Sequence, residues 1–202
     1  LHPNADLIQR FYTCFQDRDA AGMAACYHPR VRFSDPVFPD LEGSAVGAMW
    51  AMLCARAADL QVEVRSVTAN DRVGGAHWEA WYTFSGTGRA VHNRIDARFT
   101  FEDGKVLEHR DSFDLWAWST QALGLKGRLL GWSPPVQGAI RKQAAAALAS
   151  FRSRHPAPAA ATAAPALPAP SDTASAADTA GAADTASAGP AGSAADAGPA
   201  VG

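Results

Sequence analysis

Phe99-Thr100-Phe101-Glu102-Asp103-Gly104-Lys105-Val106-Leu107-Glu108-His109-Arg110-Asp111 is the stretch that decides the fold. Side chains of two kinds alternate on either side of Asp103-Gly104, a pair suited to the positive φ angles of a tight hairpin. Two paired strands are therefore expected, Val91 to Glu102 and Lys105 to Leu115. On the first, Ile95, Ala97, Phe99 and Phe101 form an apolar face, while His92, Arg94, Asp96, Arg98 and Thr100 form a charged one. Upstream, Ala76, Trp78, Ala80, Tyr82 and Phe84 alternate with His77, Glu79, Trp81 and Thr83, and a turn at Gly86–Gly88 joins the two runs. Val62, Val64 and Val67 mark an earlier strand that ends at Asn70-Asp71. Four consecutive strands of this kind predict an antiparallel meander.

Helical spacing dominates before the meander. Leu7, Ile8, Phe11, Cys14 and Phe15 predict a first helix from Asp6 to Asp17. Asp19 caps a second, Ala20 to Tyr27, which His28-Pro29 terminates. Val31 to Asp35 reads as a short strand stopped by Pro36, and Ser44 caps a third helix carrying Met49, Trp50, Met52 and Leu53. The expected class is α+β: a cone-shaped, curved antiparallel sheet with three N-terminal helices over its concave face. Such a layout leaves a conical cavity suited to a small apolar ligand.

After the last strand, Trp116 to Leu123 reads as a helix ending at Gly124. Leu125 to Trp132 is a Leu/Trp-rich connector, expected to cover the domain's own core. Pro134-Pro135 then open a helix through Phe151, with Val136, Ile140, Ala144 and Leu148 on one face. Three segments result: a cone domain over 1–124, a helical extension over 125–154, and a tail over 155–202.

The average composition conceals this division. The tail holds 21 Ala, 7 Pro and no Lys, Arg or aromatic residue, so it lacks the apolar surface to offset its ordering entropy and is expected to be disordered. All 18 basic residues precede it, and the whole chain has a net charge of −2. A chain so close to neutral lacks the basic field that nucleic-acid binding needs. No apolar run is long enough to span a membrane. Leu1-His2-Pro3-Asn4-Ala5-Asp6 shows neither a basic nor an apolar targeting region, and Cys14, Cys26 and Cys54 form no metal or disulfide spacing. These features point to the cytoplasm, with three reduced core cysteines.

The order of elements, with several local sequences, resembles the SnoaL-like branch of the nuclear transport factor 2-like superfamily. The residues that carry the likeness are Leu7-Ile8-Gln9-Arg10-Phe11, Phe33-Ser34-Asp35-Pro36, the Phe99–Val106 hairpin, Glu108-His109-Arg110-Asp111 and Gln121-Ala122-Leu123-Gly124, over about residues 5–125. The superfamily includes ketosteroid isomerases, polyketide cyclases, scytalone dehydratase, limonene epoxide hydrolase and proteins without known activity. Fold alone does not choose among them.

The resemblance implies candidate residues. Ketosteroid isomerases place a general-base Asp before Pro at the end of strand one, and Asp35-Pro36 matches; desolvation beside an apolar cavity would raise its pKa. Asp35 reads equally as a turn residue before Pro36. Those isomerases, a worked example of pKa tuning, also use a Tyr on helix one and a protonated Asp on a late strand. The Tyr position matches Phe11, and the adjacent Tyr12 should point about 100° away. The late Asp matches Asp96 or, anchored at the hairpin, Ala97; alternation turns Asp96 outward, toward an Arg partner.

On the last strand Leu107, His109, Asp111 and Phe113 share a face. His109 and Asp111, about 7 Å apart, would share a water or a ligand proton. SnoaL-like cyclases use an acidic residue here as acid/base, which implies Asp111. The alternative is a buried polar cluster tied to Arg110, Asn93 or backbone groups. The catalytic candidates are thus Asp35, His109 and Asp111. Phe11, Met49, Trp78, Tyr82, Asn93, Phe99 and Phe113 would shape the pocket. No third ligand is spaced to make His109 and Asp111 a metal site, and no nucleotide or serine-hydrolase motif is present, so no cofactor is expected.

Two functions follow. One is a cofactor-free acid–base isomerase, cyclase or dehydratase acting on a small apolar carbonyl compound. The other is a non-catalytic binding module, with Arg94, Asp96 and Arg98 joining a homodimer and the extension packing on a partner. A reading of Leu129, Leu130, Trp132, Lys126 and Arg128 as a membrane-surface contact is set aside in favour of core covering, so neither membrane nor nucleic acid is an expected partner.

Overall fold

The computed structural model describes residues 2–56 and 58–156, and the expected disorder of the tail falls outside them apart from its first two residues. Helix α1 (Pro3–Gln16) is capped by His2, whose side chain accepts from the Asn4 amide, and turns Ile8, Phe11, Tyr12 and Phe15 into the core. Helix α2 (Ala20–Ala25) is capped by Asp19 as expected. It ends earlier than its sequence implies. Strand β1 (Tyr27–Ser34) starts at Tyr27 and runs straight through His28-Pro29. Its register slips between Tyr27 and Arg32, so Pro29 sits where pairing is already irregular and its missing N–H costs no ladder bond.

A two-residue strand, β2 (Leu41–Glu42), was not legible in the sequence; helix α3 (Ser44–Arg56) follows and buries Val46, Met49, Trp50, Met52 and Cys54. Then come β3 (Gln61–Ala69), β4 (Val73–Phe84), β5 (Arg89–Glu102) and β6 (Lys105–Ser112). Asp103 and Gly104 take φ angles of 50° and 69°, the conformation their hairpin requires. Strand β6 stops three residues short of the expected end. Asp114 accepts from the Trp116 and Ala117 amides and starts helix α4 (Leu115–Leu123) instead.

The six strands form one curved, unclosed sheet in the order β2-β1-β6-β5-β4-β3. The meander from β3 to β6 is antiparallel, but β1 lies parallel to β6, so the sheet is mixed and not wholly antiparallel. The chain leaves β1, crosses over through α3 and the meander, and returns along β1's other edge; a crossover of that length permits parallel pairing. Register slips in β1, in β3 at Arg65/Thr68 and in β5–β6 at Thr100/Phe101 bend and twist the sheet.

The interior of the cone is filled, contrary to the hollow cavity expected. Phe11, Tyr12, Phe15, Trp50, Trp78, Phe99 and His109 are all buried there and meet ring to ring. A second cluster, of Val91, Leu115, Trp118 and Ala122, joins it through Val37, Tyr82 and Phe113, which touch both.

Helices α5 (Leu125–Leu130) and α6 (Pro134–Arg154) complete the described chain. From α6, Leu148 is buried in the main core, and the Arg141 guanidinium donates to the Pro36 carbonyl at 2.8 Å. Helix α5 does not cover the core as expected. It docks through Gly127, which is buried, and leaves Leu125, Leu129, Leu130 and Trp132 exposed.

Candidate active site

Alternation along β5 and β6 holds as read. Ala97 pairs with Asp111 and Phe99 with His109, all four facing inward, whereas Arg94, Asp96 and Arg98 face outward. Asp96 is partnered by His77 Nδ1 at 2.9 Å, not by an Arg, because His77 lies directly across from it on β4. His92 likewise meets Glu79 on the outer face.

His109 and Asp111 do more than share a face: Nε2 of the one lies 3.0 Å from Oδ1 of the other. The other ring nitrogen, Nδ1, lies 2.7 Å from the Tyr27 hydroxyl. The Trp50 indole donates to that same hydroxyl at 2.9 Å, and the Trp78 indole donates to Asp111 Oδ1 at 3.3 Å. These bonds set their own directions. A carboxylate only accepts, so Nε2 carries the proton facing Asp111. The other nitrogen of the neutral ring, Nδ1, then takes the Tyr27 O–H, while the Tyr27 oxygen accepts from the Trp50 indole. A buried polar cluster does form, as the alternative reading had it, but its partners are Tyr27, Trp50 and Trp78 in place of Arg110, Asn93 or backbone groups.

The surroundings are apolar. The imidazole stacks on Trp50, with ring centroids 5.9 Å apart, lies 4.3 Å from Phe99 and takes the Phe33 ring edge-on at 5.1 Å. Unpaired polar atoms are costly in such a medium, which is why nearly every one is bonded. One exception stands among the described residues: the Tyr12 hydroxyl is buried with no hydrogen-bond partner. Burial, with the Asp111 charge behind it, pushes this phenol well above its usual pKa, and burial does the same to Tyr27. Tyr12 was expected to point away from Phe11's direction, yet both are buried, since α1 lies deep enough to bury a face wider than one residue.

Asp35 takes the turn role considered for it. Its Oδ1 accepts from the Val37 amide at 2.7 Å and from the Phe38 amide, closing the turn that follows β1. Desolvation nevertheless raises the carboxyl to about 7; the two turn amides oppose this, and the charge of Asp111 adds to it. The charge of Asp111 thus reaches Asp35 through the apolar interior.

The other expected residues fall in three places. Phe11, Met49, Trp78 and Phe99 are buried around the His109–Asp111 pair. Tyr82 and Phe113 sit between the two clusters, where the Trp118 indole donates to the Tyr82 hydroxyl at 2.8 Å. Asn93 is half-buried between Val91 and Ile95 on the inward face of β5. Tyr27, Trp50 and Tyr12 were not among the site residues read from the sequence. Its spacing in the sequence puts Tyr27 at the end of a helix, whereas it starts β1, and from there its hydroxyl meets His109. No group of three His, Cys, Asp or Glu side chains able to hold a metal occurs among the described residues. A groove of about 450 Å³ lies over the Asp35 turn, between Val37, Phe38 and Leu41 on one side and Arg141, Leu148 and Arg152 of α6 on the other.

Solved structures share this fold. TerC, crystallised with polyporic acid, is 20% identical with a TM-score of 0.53, over 60% of this chain and 99% of its own. An epoxide hydrolase of M. tuberculosis resembling limonene epoxide hydrolase is 15% identical with a TM-score of 0.52, over 64% of this chain and 96% of its own. IdmH of Streptomyces antibioticus, proposed to be a polyketide cyclase, is 18% identical with a TM-score of 0.52, over 62% of this chain and 100% of its own. No curated protein matches the chain in sequence at a significant level. The SnoaL-like domain family matches residues 8–109, just over half of the chain and including β1, the hairpin and His109. This chain belongs to the SnoaL-like family.

Proposed function

We propose that the protein is a cofactor-free acid–base catalyst, of isomerase, cyclase or dehydratase type, for a small and largely apolar carbonyl compound. The observation that carries this reading is the buried, unpartnered hydroxyl of Tyr12, within reach of the Asp111 charge. A donor left unpaired in an apolar interior costs folding energy, and a developing oxyanion would take its hydrogen bond. Burial keeps that phenol protonated and therefore able to donate. Asp35, near 7, suits the complementary role of base at neutral pH. Its carboxylate would take a proton from the carbon next to the carbonyl. Tyr12 would hold the resulting enolate oxygen, and Asp35 would return the proton to the product. The Trp50–Tyr27–His109–Asp111 chain would fix Asp111 and its charge. Access would start from the groove beside the Asp35 turn, where α6 grips Pro36, and a guest would reach the wholly buried Tyr12 hydroxyl only by displacing rings packed around it. The similarly folded TerC, crystallised with polyporic acid, gives a precedent for an organic guest in this fold.

The test is exchange of carbonyl α-protons in heavy water, followed by NMR over a panel of apolar ketones and polyketide-like compounds. Asp35→Asn and Tyr12→Phe should each slow the exchange by about a hundredfold or more. Equal rates in wild type and both variants would sink the proposal. A second reading, binding without turnover, is favoured by one observation: both ring nitrogens of His109 are already engaged by protein partners. On that reading a ligand stabilises wild type, Asp35→Asn and Asp111→Asn equally in thermal melts.

A further inference from the structure

Helix α5 is amphipathic in the inverse sense. Gly127 is its buried residue, and a Cβ there would lie 1.9 Å from the Ser119 carbonyl oxygen of α4. Gly131, just past its end, is as tightly placed: a Cβ would meet the Ser119 hydroxyl at 1.9 Å. The helix thus seats its glycine edge against α4 and directs its large side chains outward. Leu125 is 70% exposed, Leu129 60%, Leu130 54% and Trp132 60%, with Trp116 of α4 at 46%. The indoles are held in place, Trp116 donating to the Arg128 carbonyl at 3.2 Å and Trp132 to the Leu129 carbonyl at 3.1 Å. Most of the described chain's exposed large apolar residues gather here, and a patch of that kind marks an interaction surface.

Charge indicates what it meets. Residues 115–154 contain six basic residues, Lys126, Arg128, Arg141, Lys142, Arg152 and Arg154, and no acidic one. Residues 1–114 carry 12 basic and 16 acidic residues, so the basic excess belongs wholly to this extension. Lys126 and Arg128 are exposed among the leucines themselves. We propose that α5 and its flanks dock on the surface of an anionic lipid bilayer, with Leu125, Leu129, Leu130, Trp116 and Trp132 entering the headgroup boundary. Leucines insert, indoles prefer the interface, and cations pair with acidic headgroups. A second copy fits less well, because an isologous contact would bring Lys126 and Arg128 against the same cations of its twin. The acidic tail of this chain fits less well too, since Leu167 and Val201 are its large aliphatic residues and it has no aromatic ones. Among the described residues no helix is long and apolar enough to cross a membrane, so the contact is one of lying on the surface.

This inference is independent of the proton-transfer proposal. Its test is sedimentation of the full chain with vesicles of phosphatidylcholine and phosphatidylserine in equal parts, and with phosphatidylcholine alone. Binding to the mixed vesicles should exceed binding to the neutral ones by about tenfold or more and fall with added salt. The double variant Leu129→Ser, Trp132→Ser should lose about tenfold in binding while keeping the wild-type melting temperature, since both side chains lie outside the core. A wild-type chain that stays in the supernatant overturns the proposal, as does a double variant that binds undiminished. A wild-type dimer that the double variant makes monomeric, without vesicle binding by either, assigns the face to a second copy and also overturns it.

Discussion

Tyr27 and His109 are 82 residues apart in the chain, yet the Tyr27 hydroxyl donates to His109 Nδ1 across 2.7 Å in the centre of the fold. Through this bond a tyrosine at the start of β1 meets the proton-free nitrogen of a histidine on β6, whose other nitrogen donates to Asp111. The histidine orientation is thereby built into the sheet, because β1 and β6 are hydrogen-bonded neighbours.

Tyr27→Phe should leave the Trp50 indole without an acceptor and His109 Nδ1 without a donor. The expected loss is about 2–3 kcal/mol in urea unfolding, the cost of unmade buried hydrogen bonds. In ¹⁵N spectra His109 should show the Nε2-protonated form in wild type and variant alike, since Asp111 still accepts that proton.

Tyr12→Phe should have the opposite effect on stability. The hydroxyl it removes has no partner, so unfolding free energy should rise by about 1 kcal/mol. If α-proton exchange slows in the same variant, the hydroxyl is held for function at the expense of stability. A gain in stability with unchanged exchange would make Tyr12 a packing residue only.

Asp35→Asn should change how stability depends on pH. Folding raises this carboxyl from the ordinary 3.8 to about 7, so the folded state favours the protonated form. The stability this supplies is full below about pH 4 and is lost as pH rises through about 7. Asparagine does not ionise. The variant should therefore melt close to wild type at pH 4 and about 5 °C higher at pH 8, for a difference of about 2 kcal/mol that allows for the half-buried position. Parallel melting curves for the two proteins across this range would refute the assignment.

Gly127→Ala should destabilise although alanine is the better helix former. The intrinsic gain is about 1 kcal/mol. It is outweighed by a Cβ 1.9 Å from a backbone oxygen that cannot move aside cheaply. A net loss of about 1–3 kcal/mol is expected, or release of α5 from α4. Either outcome should appear in thermal melts and in the fluorescence of Trp116, whose indole is tied to α5.

By itself the sequence determined what depends on neighbours in the chain. Period-two alternation turned His109 and Asp111 inward and Asp96 outward, because successive strand side chains must take opposite faces. Asp103-Gly104 determined the hairpin, and Asp19 the start of α2, through local backbone preferences. Only the tertiary structure decided who meets whom. Tyr27, Trp50 and Trp78 reach the His109–Asp111 pair from a strand that begins sooner than its sequence suggests, from α3 and from β4. The parallel pairing of β1 with β6, the packing that fills the cone with rings, and the glycine edge that turns α5 outward were equally hidden. Each is a contact between segments remote in sequence, chosen by which surfaces bury together and not by the residues beside them.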